Sequence, residues 1–207
     1  MYVCSSIHIQ NGMEMEQILD LNRRYTYADY LTWMDDIRRE LIEGFIKLLP
    51  APRSIHAEVS FNITWHLGAI LKKNKGKCKV FSAPFDVRLP KNGETAYDQI
   101  YTVVQPDICV ICDPAKIDKR GCCGAPDMII EVISPSTGKR QLFDKFVLYE
   151  AAGVKEYWTV YPETEAITVF LLQDDGKYDT GTVYEFEGHV PVHIFDDTPI
   201  DLGDIFL

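Results

Sequence analysis

The stretch Ala125-Pro126-Asp127-Met128-Ile129-Ile130-Glu131-Val132-Ile133-Ser134-Pro135-Ser136-Thr137 decides the fold. Its centre is a nearly continuous apolar run with one acid in it. A run of that kind predicts a strand over Met128–Ser134, covered on both faces by other elements. Burying a lone carboxylate costs several kcal/mol unless it is paired or holds a cation. Glu131 therefore stands out as a functional candidate. Pro135 and Gly138 end the strand, and Lys139 to Ala152 reads as a helix closed by Gly153 at its C-terminal end.

Working outward, Val103 to Cys112 reads as a second strand, interrupted at Gln105-Pro106-Asp107. Asp107 is thus a second acid in a β-like run, although Pro-Asp is also a common turn dipeptide. Lys79 to Leu89 is a further strand, broken at Pro84. Lys91-Asn92-Gly93-Glu94 makes a turn. Before these, Val59, Ile63, Leu67, Ile70 and Leu71 recur at helical spacing over His56–Lys73, with Ser54 as N-cap. Thr26 and Asp29 resemble a capping box opening a short helix to about Asp36. Glu40 to Leu49 is β-like. Glu156 to Tyr161, Ala166 to Leu172 and Lys177 to Glu187 continue the β pattern after the helix. Helices alternating with strands in this order predict an α/β (α+β) fold with a mixed central sheet flanked by helices. Residues 1–24 have weak patterning and read as an N-terminal extension; residues 25–207 read as a single domain.

Bulk properties narrow the functional classes. No apolar run reaches the roughly 18 residues that span a bilayer, and no export signal is legible, so a cytoplasmic protein without a membrane partner is expected. Six cysteines in such a chain are expected to be reduced. Cys109 and Cys112, followed by Cys122 and Cys123, leave a zinc-stabilised interaction protein as one alternative. The formal net charge is -10. From Tyr161 onward there are eleven acids against one base, Lys177, whereas the preceding residues hold twenty of each. The acidity belongs to the C-terminal segment, so the rest can still meet nucleic acid. Lys72, Lys73, Lys75, Lys77 and Lys79 are the natural phosphate contacts; the bland alternative is a solvated loop.

Two acids on neighbouring strands suit Mg²⁺, with Mn²⁺ as a substitute, because hard cations take oxygen donors. Lys145 lies fourteen residues after Glu131, on the following helix. Folded back over the strand, it can reach the acid pair and stabilise phosphoryl charge or orient a water. Taken alone, a helix lysine is an ordinary solvated residue.

These residues carry a resemblance. Gln105-Pro106-Asp107, the stretch Ala125 to Thr137, Lys145 with Leu148-Tyr149, and Ala152-Gly153-Val154-Lys155-Glu156-Tyr157-Trp158 are similar to the Uma-two family, within the PD-(D/E)XK nuclease superfamily. Thr26 to Leu31, Glu40 to Gly44, Ser54 and His56 extend the likeness over roughly Tyr25 to Leu207. The resemblance implies a restriction-endonuclease-like fold and a metal-dependent DNA endonuclease. It implies Asp107 and Glu131 as metal-binding acids and Lys145 as the lysine that usually stands two residues after the second acid, where this chain has Ile133. It implies Glu40 as an accessory acid and His56 as a contact to phosphate or to a water on the metal; a packing or capping histidine is the alternative. Gln141 stands where the family usually has Asp, and Tyr161 where it usually has the Asp of Val-Asp-Pro. Cutting both strands implies a homodimer. A catalytically inactive nucleic-acid-binding domain of the same fold is the other alternative.

Overall fold

A strand that is apolar on both faces and paired on both edges must lie in the interior of a sheet, and Met128–Val132 does so. The structure, a computed structural model, describes residues 6–9, 17–74, 77–135, 137–185 and 188–206. Two compact units emerge, one of Met1–Ala51 with Asp86–Gln105 and one of Pro52–Phe85 with Pro106–Leu207.

In the first unit, Thr26 and Asp29 form the expected capping box, each side chain accepting from the other's backbone N–H. The helix is one turn, Tyr27–Tyr30, and not the longer helix expected to Asp36. The Thr32 hydroxyl donates to the Asp29 carbonyl, and this local bond competes with helix continuation. The β-like run Glu40–Leu49 is a hairpin, Arg39–Ile42 against Phe45–Leu48, turning at Glu43 and Gly44. Gly44 has φ 89° and its Cβ position lies 3.1 Å from the Tyr25 carbonyl, so a side chain there would be strained twice over. The segment read as an extension contains a ladder, Ser6–Ile9 against Gln17–Asp20.

In the second unit, labels run in chain order: α1 (Ser54–Asn74), β1 (Lys79–Ser82), β2 (Ile108–Ile111), β3 (Met128–Val132), α2 (Lys139–Ala152), β4 (Glu156–Tyr161), β5 (Ala166–Leu171) and β6 (Thr182–Glu185). They form one sheet whose spatial order is β6-β5-β4-β3-β2-β1. β3 and β4 are parallel, joined across α2; every other neighbour in the sheet is antiparallel. The expected strand Val103–Cys112 is two strands, because Pro106 has no N–H for a ladder. No helix among the described residues is long and apolar enough to cross a membrane.

Alternation assigns the two faces of this sheet. Ile108, Val110, Met128, Ile130, Val132, Trp158, Val160, Ile167 and Val169 are buried together with Val59, Ile63 and Leu67 of α1. A C-terminal hairpin, His189–Val192 against Thr198–Asp201, adds Val190, Val192 and Ile200 to that core. The opposite face carries Glu131, Tyr157, Thr159, Tyr161 and Phe170 beneath α2.

Two buried acids serve the fold. Glu156 is fully buried on β4; it accepts from Trp158 Nε1 and from the N–H groups of His193 and Ile194. Burial pushes its carboxyl above the ordinary glutamate range, against those hydrogen bonds. Glu156→Ala strands three donors at once and is expected to cost about 3–5 kcal/mol in urea unfolding. A loss under 1 kcal/mol would show that these donors find other acceptors.

Asp127 accepts from Lys155 Nζ at 2.7 Å and from the Cys112 N–H at 2.7 Å. Burial alone would raise its pKa; the Lys155 and Cys112 bonds outweigh it and hold the carboxyl below its ordinary value. A depressed carboxylate adds stability above its unfolded pKa, and that contribution disappears as pH falls through the folded one. Asp127→Asn is therefore expected to be less stable than wild type at pH 7, with the gap closing below about pH 4. A gap independent of pH would rule out the charge as its source.

Candidate functional site

β2 and β3 run antiparallel with Met128 facing Val110, Ile129 facing Cys109 and Ile130 facing Ile108. The ladder ends at that last pair, so Asp107 and Glu131 are the residues next beyond it on the two strands. Asp107 Oδ2 accepts the Val132 N–H at 2.8 Å, which ties the acid across to the neighbouring strand. The backbone carbonyl of Asp107 accepts the Ala83 N–H at 3.0 Å, continuing the pairing toward β1.

α2 brings the cation. Lys145 Nζ lies 2.8 Å from Glu131 Oε1, and the Tyr149 hydroxyl donates to the same oxygen at 2.6 Å. Lys145 and Tyr149 are one helical turn apart, so both project from one side of α2. Glu131, Lys145 and Tyr149 are all buried. His56, in the first turn of α1, places Nε2 3.1 Å from Asp107 Oδ2. His56 thus contacts the first acid directly.

Tyr157 lies on the same face of the sheet as Glu131. Burial is the main reason its hydroxyl is held well above the ordinary tyrosine pKa, and Glu131 and Asp107 both add to the effect.

The sequence-derived candidates Asp107, Glu131, Lys145 and His56 all lie in the second unit, as two side-chain pairs, His56 with Asp107 and Lys145 with Glu131. Glu40 belongs to the first unit, where it is buried and its Oε1 accepts the Gln105 N–H at 2.9 Å. Tyr149, Tyr157 and Thr159 were not singled out from the sequence. For Tyr149 a signal existed, four residues after Lys145 on the same helical face. Lys72, Lys73, Lys77 and Lys79 are exposed, and Lys75 lies outside the described residues.

The cysteines depart from expectation. Cys78 and Cys112 are joined by a disulfide, because the β1–β2 register places Lys79 against Ile111 and the two thiols directly beyond. Cys112 is then unavailable to a zinc site with Cys109, and Cys109 and Cys122 are buried. Among the described residues no three His, Cys, Asp or Glu side chains converge as a metal cage. The zinc-stabilised alternative loses its ligand set.

A mixed sheet with β3 and β4 parallel around a crossover helix defines a restriction-endonuclease-like fold. A solved structure of similar shape, a "putative nuclease" from Anabaena variabilis, superposes with a TM-score of 0.68 at 20% identity over 88% of this chain and 97% of that one. The family model described as "putative restriction endonuclease" matches residues 27–199, and the chain belongs to that family, Uma-two. An uncharacterized protein of Synechocystis is 25% identical over 157 residues, covering 72% of this chain and 75% of that protein.

Proposed function

We propose that this chain is a metal-dependent endonuclease that hydrolyses phosphodiester bonds in DNA. The observation that supports the reading is the Lys145 ammonium 2.8 Å from Glu131, with Asp107 Oδ2 bonded to the N–H of the next residue, Val132. Membership of a family described as putative restriction endonucleases supports it.

Two carboxylates fit Mg²⁺, which is commonly held by one or two protein acids and keeps several waters. When bound, the ion supplies charge neutralisation at the phosphoryl group and a more acidic water. The chain's own residues do the rest. Asp107 is fixed by the Val132 N–H, so its free orientation is removed before substrate arrives. His56 holds the same oxygen and would keep the carboxylate pointed toward the substrate. Lys145 would share its protons between Glu131 and a phosphoryl oxygen as negative charge builds there. Tyr149 holds Glu131 while Lys145 does so, and burial of all three strengthens each interaction. The two strands of a duplex call for two such sites, so the active species is proposed to be a homodimer.

The test is cleavage of supercoiled plasmid and of labelled oligonucleotides by purified protein with Mg²⁺ or Mn²⁺, beside Asp107→Ala. Metal-dependent cutting by wild type and none by the variant is expected. Cutting that survives in Asp107→Ala would sink the mechanism. Tight binding by both proteins without any cutting would favour an inactive nucleic-acid-binding domain, a rival favoured by how fully Glu131 is engaged by Lys145 and Tyr149.

A further inference from the structure

Beside the acid pair lies a cavity of about 290 Å³, lined by Leu142, Phe143 and Phe146 of α2 and by Tyr157, Thr159, Tyr161 and Phe170 of the sheet. Its position follows from register. Thr159 faces Glu131 across the parallel β3–β4 pair, and Tyr157 faces Ile129. The cavity therefore occupies the same face of the sheet as Glu131, under the same helix that carries Lys145.

Three features restrict what it takes. First, no lining side chain is charged, so a phosphate has no counter-charge there and the occupant is neutral. Second, the walls are mostly aromatic: Phe146 meets Phe170 edge-on with centroids 5.1 Å apart, and Tyr157 stacks on Phe170. Flat rings are the natural guests of such walls. Third, the Tyr157 hydroxyl and Thr159 Oγ1 are both buried and have no hydrogen-bond partner among the described residues. The two residues are only 1% and 5% exposed. A hydroxyl buried without a partner is costly, and these two belong to residues of the cavity wall, so a ligand there that can both donate and accept would relieve that cost.

We infer that this cavity holds one nucleobase, unstacked from its neighbours, next to the phosphodiester that is cut. The inference rests on the nuclease reading and specifies the substrate: a base that is already unpaired or easily extruded. Five aromatic side chains replace the stacking that the base leaves behind. The Tyr157 and Thr159 hydroxyls meet its polar edge, and Phe143, 65% exposed, stands at the rim. A fully paired base must break its stack to enter, so single-stranded or mismatched sites are favoured over intact duplex.

The test is binding, kept apart from cutting. The full chain is titrated in EDTA against a fluorescent single-stranded oligonucleotide and against copies in which each nucleotide in turn is abasic. Losing the base at one position is expected to weaken binding about tenfold, the scale of one base–aromatic stack. Tyr157→Phe and Thr159→Val remove only unpartnered hydroxyls, so they fold at least as well as wild type. Each is expected to weaken the intact oligonucleotide several-fold and to flatten the abasic penalty. Equal binding of abasic and intact strands, variants indistinguishable from wild type, or no binding to any oligonucleotide each overturns the inference. Base-dependent binding by a protein that cuts nothing with Mg²⁺ would support the cavity and defeat the nuclease reading, so the two failures are separable.

Discussion

Glu131→Gln is expected to lower the rate of DNA cleavage by about 10³-fold or more while leaving a folded protein. The amide keeps the shape of the side chain and can still accept from the Tyr149 hydroxyl. It removes the charge that faces Lys145 at 2.8 Å and the anionic oxygen a metal would need. Loss of cutting with unchanged far-ultraviolet circular dichroism is the expected pair of results. Cleavage within tenfold of wild type would mean that Glu131 is an ordinary buried acid neutralised by Lys145.

Lys145→Met is the second large effect. The thioether fills most of the lysine stem's space without its charge. Cleavage is expected to fall about 10²-fold, because the ammonium no longer meets charge on the phosphoryl group. Stability is expected to fall by about 3–5 kcal/mol, because the Glu131 carboxylate stays buried and loses its cation. Adding Glu131→Gln to Lys145→Met should restore much of that stability and none of the activity. The double variant thus separates the two roles of the pair. If the two single stability losses simply add in urea unfolding, the residues are not coupled and the proposed ion pair has no energetic content.

How much of this was legible in the sequence depended on whether a residue broke a local pattern. Glu131 interrupts an apolar run, and its burial follows from the run itself. Asp107 is less distinctive, because Pro106 gives it an alternative as a turn residue; only the bond from the Val132 N–H to its Oδ2 ties it to β3 beside Glu131. Lys145 is readable once α2 is folded back over β3, and the helix Lys139–Ala152 has the bounds its sequence predicts. Tyr157 and Thr159 are ordinary strand formers, so nothing in their spacing separates a hydroxyl that lacks a partner from one that packs. The Cys78–Cys112 bond joins residues 34 apart and depends on a register that no local signal encodes. The hairpin His189–Val192 with Thr198–Asp201 was missed for a related reason: Pro191 and Pro199 interrupt both strands and dilute their β signal.

The five residues Ile133 to Thr137, with Gly138 as N-cap, link β3 to α2, and the Ser134 N–H donates to the Thr137 hydroxyl. Because an α-helix advances about 100° per residue, lengthening or shortening that link by one would turn the whole of α2 by more than a quarter revolution. Ammonium and aromatic roof would swing away from the sheet in a single movement. The connection thus sets the angular phase of the helix, and its length is a constraint that no substitution elsewhere on α2 can relax.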